Sequence, residues 1–238
     1  MNAKVWLLKG CSEDGDGDGY AAAVPHSTGR VPVLKFEYNP QAVEQLELEV
    51  DSFDSVLMTS SRSAMALERY ASPELKQKLS RVPWFVVGVA SQRAVRELIG
   101  PHTVVLGAET GCAEQLVGTG MMSALKRVAY LCGNLRKPTM ANGLRTSQVE
   151  FKEFITYDTV PDLQAAIPAN TGKGETRVLC FFSPSGVTAV GGQVTAQDVV
   201  IAIGETTNQA LVEAGIHVHR VASSPSPAGL AQALALAL

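Results

Sequence analysis

The stretch VLCFFSPSGVTAV extends from Val178 to Val190. Its first part is continuously apolar and ends at a small polar turn, Ser183–Gly186, after which VTAV follows. This pattern predicts a buried strand that passes through a turn into a helix. The turn could cap the helix, present backbone N–H groups to an anion, or hold a nucleophilic serine. The rest of the chain must distinguish these roles.

The same alternation of apolar and helical stretches runs along the whole chain. Parallel strands that are buried on both faces are continuously apolar. Such runs are VWLL (5–8), VLM (56–58), WFVV (84–87), TVVL (103–106), VAYL (128–131), VLCFF (178–182) and VVIAI (199–203). Stretches of helical length lie at 63–70, 91–98, 113–125, 208–214 and 228–238. Strands that alternate with helices predict βαβ units and a doubly wound α/β fold.

Two segments of the chain occur twice and in the same order. VLMTSSRSAMAL aligns with LCFFSPSGVTAV, which places Ser60 on Ser183. FVVGVASQRAVREL aligns with IAIGETTNQALVEA, which places Ser91 on Thr207. Because both matches keep the same order, they indicate two similar α/β domains.

The domains need not be continuous in sequence. Two β-rich segments, at about 32–38 and 153–160, flank the first copy of the repeat and are interpreted as linker strands. One domain is then predicted at 1–33 plus 161–238, and the other at 34–160. The predicted fold is a pair of flavodoxin-like domains with doubly wound parallel sheets and a cleft between them.

Composition and charge exclude several classes of protein. The net charge of −3 implies no broad basic surface, so nucleic acid is not expected as a partner. No apolar run approaches the roughly 20 residues that span a membrane, so no membrane partner is expected. The cysteines are too widely spaced for a metal or redox motif, and reduced thiols fit a cytoplasmic protein. They are Cys11, Cys112, Cys132 and Cys180.

Two local patterns suggest metal ligands, but neither is complete. A calcium-binding loop that begins at Asp14 would need a glutamate at its twelfth position, which is Pro25. A flexible acidic surface loop is predicted there instead. His217 and His219 would share one face of a strand, but without a third ligand they are predicted as surface positions. No nucleotide-binding glycine motif is present, and no cofactor or metal is predicted.

Five turns between a predicted strand and a helix carry small polar residues. They are 59–62, 88–91, 132–134, 183–186 and 204–207. Ligands of open α/β sheets bind beyond the carboxyl ends of the strands, which is where these turns lie. Their hydroxyls and backbone N–H groups suit a ligand with several carboxylates or phosphates. N-capping alone would also explain each turn, and capping and binding can coexist.

Catalytic side chains are harder to identify from the residues. Ser183 lacks the glycines of a nucleophile elbow, and none of the four histidines lies in a predicted turn. Tyr157 lies in the second predicted linker strand. It is either a packed aromatic residue or a proton donor to a leaving group.

Eight motifs, spread over nearly the whole chain, occur in an order that is shared with one known family. They are LLKG, LMTSSRSA, FVVGVAS, LCGNLRK, ITYDTV, FFSPSGV, AIGETTNQAL and SPSPAGLAQAL. This set resembles the uroporphyrinogen-III synthases, and CGNLR resembles their eukaryotic branch. Ser61 stands where the family often has proline, and Ser91 replaces a threonine that is common in the family.

The resemblance implies two α/β domains, a two-stranded linker and an active site in the cleft. The implied reaction is the cyclisation of hydroxymethylbilane, a linear tetrapyrrole polycarboxylate, to uroporphyrinogen III. Water is lost and ring D is inverted through a spiro intermediate, and the enzyme acts mainly by orienting a flexible substrate. The resemblance further implies no cofactor, a monomer, and transient contact with the deaminase that makes the bilane.

By motif, the resemblance implies that Tyr157 assists loss of the substrate hydroxyl. The residues implied for substrate binding are Lys9, Thr59, Ser60, Arg62, Ser91, Asn134, Ser183, Ser185, Gly186, Thr206 and Thr207. A non-catalytic binding module for a polycarboxylate would have the same turns and remains the alternative. A hydrolase that uses Ser183 is a third interpretation.

Overall fold

The computed structural model describes residues 3–10, 19–169 and 174–238. The chain divides into two units, of which the first comprises Met1–Lys35 and Val160–Leu238 and the second Phe36–Thr159. Most of the predicted acidic loop, from Asp14 to Asp18, lies outside the described residues. In the part of the chain that is described, no helix is long and apolar enough to cross a membrane.

All seven predicted apolar runs form strands, and four further strands accompany them within the described ranges. The strands are β1 (Ala3–Leu8), β2 (Ser27–Val31), β3 (Leu34–Tyr38), β4 (Ser55–Met58), β5 (Trp84–Val86), β6 (Val105–Leu106), β7 (Arg127–Gly133), β8 (Glu150–Pro161), β9 (Thr176–Phe181), β10 (Val199–Ala202) and β11 (Arg220–Val221). The prediction that His217 and His219 lie in a strand is wrong, because both lie in the connection that precedes β11.

The helices cover the five predicted stretches, although one of these is broken. The helices are α1 (Gly19–Ala23), α2 (Pro40–Glu49), α3 (Ser61–Tyr70), α4 (Pro73–Leu79), α5 (Val89–Ile99), α6 (Ala113–Gly118), α7 (Thr139–Thr146), α8 (Pro184–Val190), α9 (Glu205–Glu213) and α10 (Pro227–Ala237). The predicted helix at 113–125 ends early, because Gly120 adopts a left-handed conformation with φ +73° before a 3-10 turn, Met121–Ala124.

The first unit contains a five-stranded sheet in the order β11-β10-β9-β1-β2. All of its neighbouring strands are parallel. Numbered along the chain, these strands follow the order 2-1-3-4-5 of flavodoxin-like sheets.

The second unit contains the strands of a six-stranded sheet in the order β3-β8-β7-β4-β5-β6. From β8 to β6, all neighbouring strands are parallel. Numbered along the chain, β4 to β8 follow the order 3-2-1-4-5, which is also a doubly wound order. The strand β3, which was predicted to be a linker, lies at the edge of this sheet beside β8. The Asn39 N–H donates to the Thr156 carbonyl at 2.9 Å where β3 ends.

The two sheets are related by a circular permutation. When β9, β10 and β11 are matched to β4, β5 and β6, the strands β1 and β2 match β7 and β8 in spatial order. This match includes both segments of the sequence repeat, so Ser60 and Ser183 follow equivalent strands, β4 and β9. The first unit therefore begins, along the chain, with the equivalent of β7, the fourth of the five strands from β4 to β8.

Each parallel sheet is buried on both faces, which accounts for the continuous apolar runs. In β4, Val56 and Met58 belong to one hydrophobic cluster while Leu57 belongs to another. In β9, Val178 and Cys180 face one cluster and Leu179 faces a second. Because successive side chains of a strand point to opposite faces, only an unbroken apolar run can fill both.

A buried ion pair joins β9 to the start of β10. Arg177 contacts both oxygens of Asp198 at 2.6 and 2.7 Å, and the Thr195 N–H also donates to Asp198 at 2.7 Å. Burial alone would raise the pKa of Asp198, but the hydrogen bonds from Arg177 and Thr195 outweigh it and lower that pKa. The stabilisation is therefore present at neutral pH and is lost as the pH falls through the acidic range.

Replacing Arg177 with methionine is expected to lower the free energy of unfolding by about 3 kcal/mol, because the Asp198 charge would be left buried without its partner. Urea unfolding at neutral pH measures this loss. Arg93→Met is the control, since Arg93 and Glu97 form an exposed pair at 3.9 Å. This control variant should lower the free energy of unfolding by no more than about 0.5 kcal/mol. Equal costs for the two variants would contradict a stabilising role for the buried pair.

Candidate active site

Four predicted site residues lie where the strand order of a sheet reverses, which is where doubly wound sheets bind ligands. In the first unit this position is between β1 and β9, and Lys9 and Ser183 follow their carboxyl ends. In the second unit it is between β4 and β7, and Thr59 and Asn134 follow those strands. Each unit thus places candidates from two separate segments at its switch point.

The two serines that the repeat aligns are both helix N-caps. The Ser60 hydroxyl accepts a hydrogen bond from the Arg62 N–H at 3.3 Å, and Ser183 accepts one from Gly186 at 3.3 Å. Gly186 is buried, and a Cβ there would lie 3.3 Å from a Val33 methyl carbon. The predicted capping role is therefore confirmed for both serines, and ligand binding by the same turns stays a prediction.

The second unit contains a continuous stack of three side chains, which are those of Arg62, Phe36 and Tyr157. The Arg62 guanidinium carbon lies 3.8 Å from the centroid of the Phe36 ring. The Phe36 ring packs edge-to-face against Tyr157, with 6.2 Å between ring centroids. Residues from β3, α3 and β8 thus bring two predicted site residues onto one aromatic side chain.

A β-bulge directs Tyr157 towards the end of β7. Cys132 pairs with Ile155 and Gly133 with Tyr157, so Thr156 is an extra residue in β8. Thr156 is fully buried, and its hydroxyl lies 3.0 Å from Ser63 Oγ. Bulges commonly re-aim a side chain beside an active site, and here the extra residue is held by a hydrogen bond.

The Tyr157 ring lies directly over Gly133. A Cβ at residue 133 would be 2.5 Å from Tyr157 Cζ and 2.8 Å from its hydroxyl oxygen. Tyr157 is 8% exposed. Among the residues that the structure describes, none forms a hydrogen bond with the Tyr157 hydroxyl. The ring is therefore packed, as one interpretation predicted, and the hydroxyl is not engaged by the described part of the protein.

Thr59 and Asn134 use their side chains within the second unit. Asn134 accepts a hydrogen bond from the Thr159 N–H at 2.9 Å, and its own N–H donates to the Tyr157 carbonyl at 3.2 Å. Thr59 hydrogen-bonds with Tyr130, whose pKa burial raises to about 12 although this hydrogen bond lowers it. Both residues thus contribute to the frame of the site, whether or not they also contact a ligand.

The cysteine that precedes Gly133 in β7 does not provide a nucleophile. Burial raises the pKa of Cys132 to about 12, partly offset by the charge of Arg136, so its thiol stays protonated at neutral pH. Arg136 is held by a hydrogen bond to Glu153. In the described ranges, no group of three or more histidine, cysteine, aspartate or glutamate side chains could hold a metal ion.

Lys9 in the first unit lies against two aromatic rings. Its ammonium nitrogen is 5.0 Å from the Tyr20 ring centroid and 5.3 Å from that of Phe182. The rings pack edge-to-face at 4.8 Å, and the Tyr20 hydroxyl donates to the Pro225 carbonyl at 2.8 Å. Each switch point therefore carries a cation on an aromatic surface, which a cation–π interaction stabilises.

The remaining candidates differ in exposure. Ser91 and Thr207, which the repeat aligns, both occupy the third position of their helices and are each 3% exposed. A ligand would therefore not meet the hydroxyl groups of these two residues. Thr206 is exposed and Ser185 is half-buried, so both are accessible.

Sequence reasoning missed the aromatic residues of both switch points. They are Tyr20, Phe36 and Phe182. Phe182 directly precedes the turn that was singled out, and an aromatic residue at that position was a usable signal. Nothing in the local sequence of Tyr20 or Phe36 indicated that either would lie against a cation.

Comparisons with known proteins agree with this architecture. A family model described as uroporphyrinogen-III synthase HemD matches residues 26–232. The uroporphyrinogen-III synthetase of Helicobacter pylori is similar in structure, with a TM-score of 0.55, 22% identity and coverage of 99% of each chain. A mutant uroporphyrinogen III synthase of Thermus thermophilus has a TM-score of 0.53 and 18% identity, and the match covers 99% of this chain and 98% of that one.

These comparisons decide two of the predictions. The two solved structures confirm the predicted α/β fold with parallel sheets. The family model spans most of the sequence, including every predicted site residue except Lys9. The chain belongs to the uroporphyrinogen-III synthase family.

Proposed function

We propose that Tyr157 donates a proton to the departing hydroxyl of hydroxymethylbilane while the switch-point residues bind the substrate's carboxylates. The reaction is that of the family, whose members are lyases of haem biosynthesis that cyclise hydroxymethylbilane to uroporphyrinogen III. The observation that carries the proposal is the packed Tyr157 ring, whose hydroxyl is unengaged by the described residues and lies beside a switch point.

The proposed proton transfer assists cleavage of one carbon–oxygen bond. As the bond breaks, its electron pair stays on the oxygen, the Tyr157 proton joins that oxygen, and water leaves. The bilane is left with an electron-poor carbon, which ring D attacks to give the spiro intermediate through which this ring is inverted. Arg62 stacks on the Phe36 ring that also contacts Tyr157, so a cation lies close to the proposed proton donor.

Carboxylate binding is assigned to the cations and turns at the switch points. A guanidinium that stacks through its face keeps its N–H groups in the plane, in a geometry that suits a carboxylate. This favours Arg62 as a carboxylate ligand in the second unit. In the first unit, the proposed ligands are Lys9 and the turn from Ser183 to Gly186. Binding several carboxylates would hold a flexible chain in a productive conformation, which can supply much of the rate enhancement.

The decisive experiment is to supply freshly made hydroxymethylbilane, oxidise the products and separate the uroporphyrin isomers. We expect mainly the type III isomer, because uncatalysed closure leaves ring D uninverted and gives type I. Heat-denatured protein is the control and should give type I alone. Type I product from a folded sample would contradict the proposal, and tight substrate binding in that sample would instead support a non-catalytic binding module.

Three further properties are proposed with this activity. We propose a monomer, a cytoplasmic location, and a transient contact with the deaminase that supplies the bilane. Buried free thiols at Cys132 and Cys180 fit a reducing compartment. A short-lived contact would suit a substrate that closes spontaneously to the wrong isomer. Sedimentation of the chain alone and with the deaminase tests the monomer and the contact.

A further inference from the structure

The first unit has a cavity at the end of its sheet that lies opposite the switch point. The cavity has a volume of about 330 Å³, which is near the lower limit for ligand pockets. It lies where β10 and β11 begin, whereas the turn with Thr206 and Thr207 follows the carboxyl end of β10. The residues that matter for its chemistry are Val194, Asp198, Val200, Ile216, His217 and His219.

The acidic group of the cavity is already neutralised. Asp198 is 4% exposed and accepts hydrogen bonds from Arg177 and Thr195. Arg220 adds a positive charge nearby, because its guanidinium donates to the His219 carbonyl at 2.7 Å. Because the charges of Asp198 and Arg177 cancel, the positive charge of Arg220 remains near the cavity. This charge favours an anion over a cation.

The hydrogen bonds of His219 decide which of its ring nitrogens can meet a ligand. Its Nδ1 accepts from the Val200 N–H at 3.2 Å, and its own backbone N–H donates to the Val200 carbonyl at 2.9 Å. A nitrogen that accepts a hydrogen bond bears no proton, so Nε2 carries the proton in the neutral ring. No residue in the described part of the chain accepts from Nε2.

The same arrangement argues against a metal ion at the histidine pair. A histidine that binds a metal usually donates its second ring N–H to an oxygen. At His219 the second nitrogen is an acceptor, so Nε2 must keep its proton and cannot bind a metal. Burial, followed by the charges of His217 and Arg220, lowers the pKa of His219, which keeps the ring neutral at neutral pH.

Apart from Thr195, whose hydroxyl donates to Asp198 at 3.0 Å, the rest of the cavity wall is apolar or aromatic. Val194, Val200 and Ile216 contribute aliphatic surface. The His217 ring packs edge-to-face on His219, with 4.7 Å between centroids. One N–H donor beside an apolar wall in a positive field suits a molecule with an acceptor at one end and an apolar body.

We propose that this cavity is a second binding site, separate from the candidate active site, for a small carboxylate with an apolar body. The carboxylate accepts a hydrogen bond from His219 Nε2, while the apolar body packs on Val200 and Ile216. Binding at this edge needs none of the residues proposed for the cyclisation.

Benzoate, titrated into ¹⁵N-labelled protein at neutral pH, is the probe for this site. We expect saturable shifts of the Val200 and Ile216 amide signals at millimolar concentrations. In the His219→Asn variant, asparagine Oδ1 can still accept from the Val200 N–H, but the donor at the Nε2 position is gone. Binding should therefore weaken about tenfold, while the spectrum remains that of a folded chain.

The control variant is His102→Asn, a change in the second unit that should leave the benzoate affinity unchanged. Any one of three results would contradict the proposal of this binding site. These are no saturation up to about 20 mM, equal affinity in the wild type and His219→Asn, or shifts confined to the turn from Ser183 to Gly186. A product assay of His219→Asn should still give mainly the type III isomer, so this proposal can fail without the proposed function failing.

Discussion

Replacing Tyr157 with phenylalanine is expected to lower kcat about 10²-fold, the lower end of what a positioned general acid contributes. The substitution removes one oxygen and keeps the ring that packs on Phe36 and over Gly133. Because the described residues make no hydrogen bond to this hydroxyl, its loss leaves no partner unsatisfied. The free energy of unfolding should therefore change by less than about 1 kcal/mol.

Turnover of hydroxymethylbilane and urea unfolding, measured on the same preparation, separate chemistry from folding. An effect on kcat with little change in KM would place the hydroxyl in the transition state rather than in substrate binding. Tyr70→Phe is the matched control, since Tyr70 ends α3 with 43% exposure. If the Tyr157→Phe variant converted hydroxymethylbilane as fast as the wild type, Tyr157 would be only a packed aromatic residue.

The sheets were predictable because their strands are buried on both faces. Each of the seven apolar runs predicted as strands forms one, and the repeat correctly paired Ser60 with Ser183 as N-caps. The strands that were missed outside the linker, β2 and β11, lie at sheet edges. β11 has two residues, both exposed, and β2 has one buried residue. Such strands carry no apolar run to detect.

One missed helix did carry a local signal. Asn39 precedes α2 as its N-cap, accepting a hydrogen bond from the Ala42 N–H at 3.2 Å, and Pro40 occupies the first helical position. Both features are typical of a helix start. The helix was missed because its apolar residues are sparse.

The candidate site was predictable only where it is local in sequence. Serine, glycine and threonine turns could be recognised because capping is decided within four residues. The stack of Arg62, Phe36 and Tyr157 joins three separate segments. The direction of Tyr157 also depends on the bulge at Thr156, which appears in strand pairing and not in composition. Tertiary contacts of this kind leave no spacing pattern to read.

Replacing Gly133 with alanine is expected to displace Tyr157 and thereby lower kcat about 10²-fold. The new Cβ would lie 2.5–2.8 Å from three atoms of the tyrosine side chain, so the ring must move. A displacement of about 1 Å at a reacting group can cost about 10²-fold in rate. Overpacking should also lower the free energy of unfolding by about 1–3 kcal/mol. The control is Gly118→Ala, since no heavy atom lies within 4 Å of a Cβ at that position.

A double-mutant cycle tests whether Gly133 acts through Tyr157. If alanine at residue 133 lowers turnover only by moving the hydroxyl, then adding Gly133→Ala to Tyr157→Phe should change kcat by less than about twofold. Additive losses would instead mean that Gly133 matters for another reason, such as close approach of the substrate to the β7 backbone. Because Gly133 precedes Asn134 at the switch point, that outcome would move the proposed bilane site towards the backbone of this turn and reduce the role assigned to Tyr157.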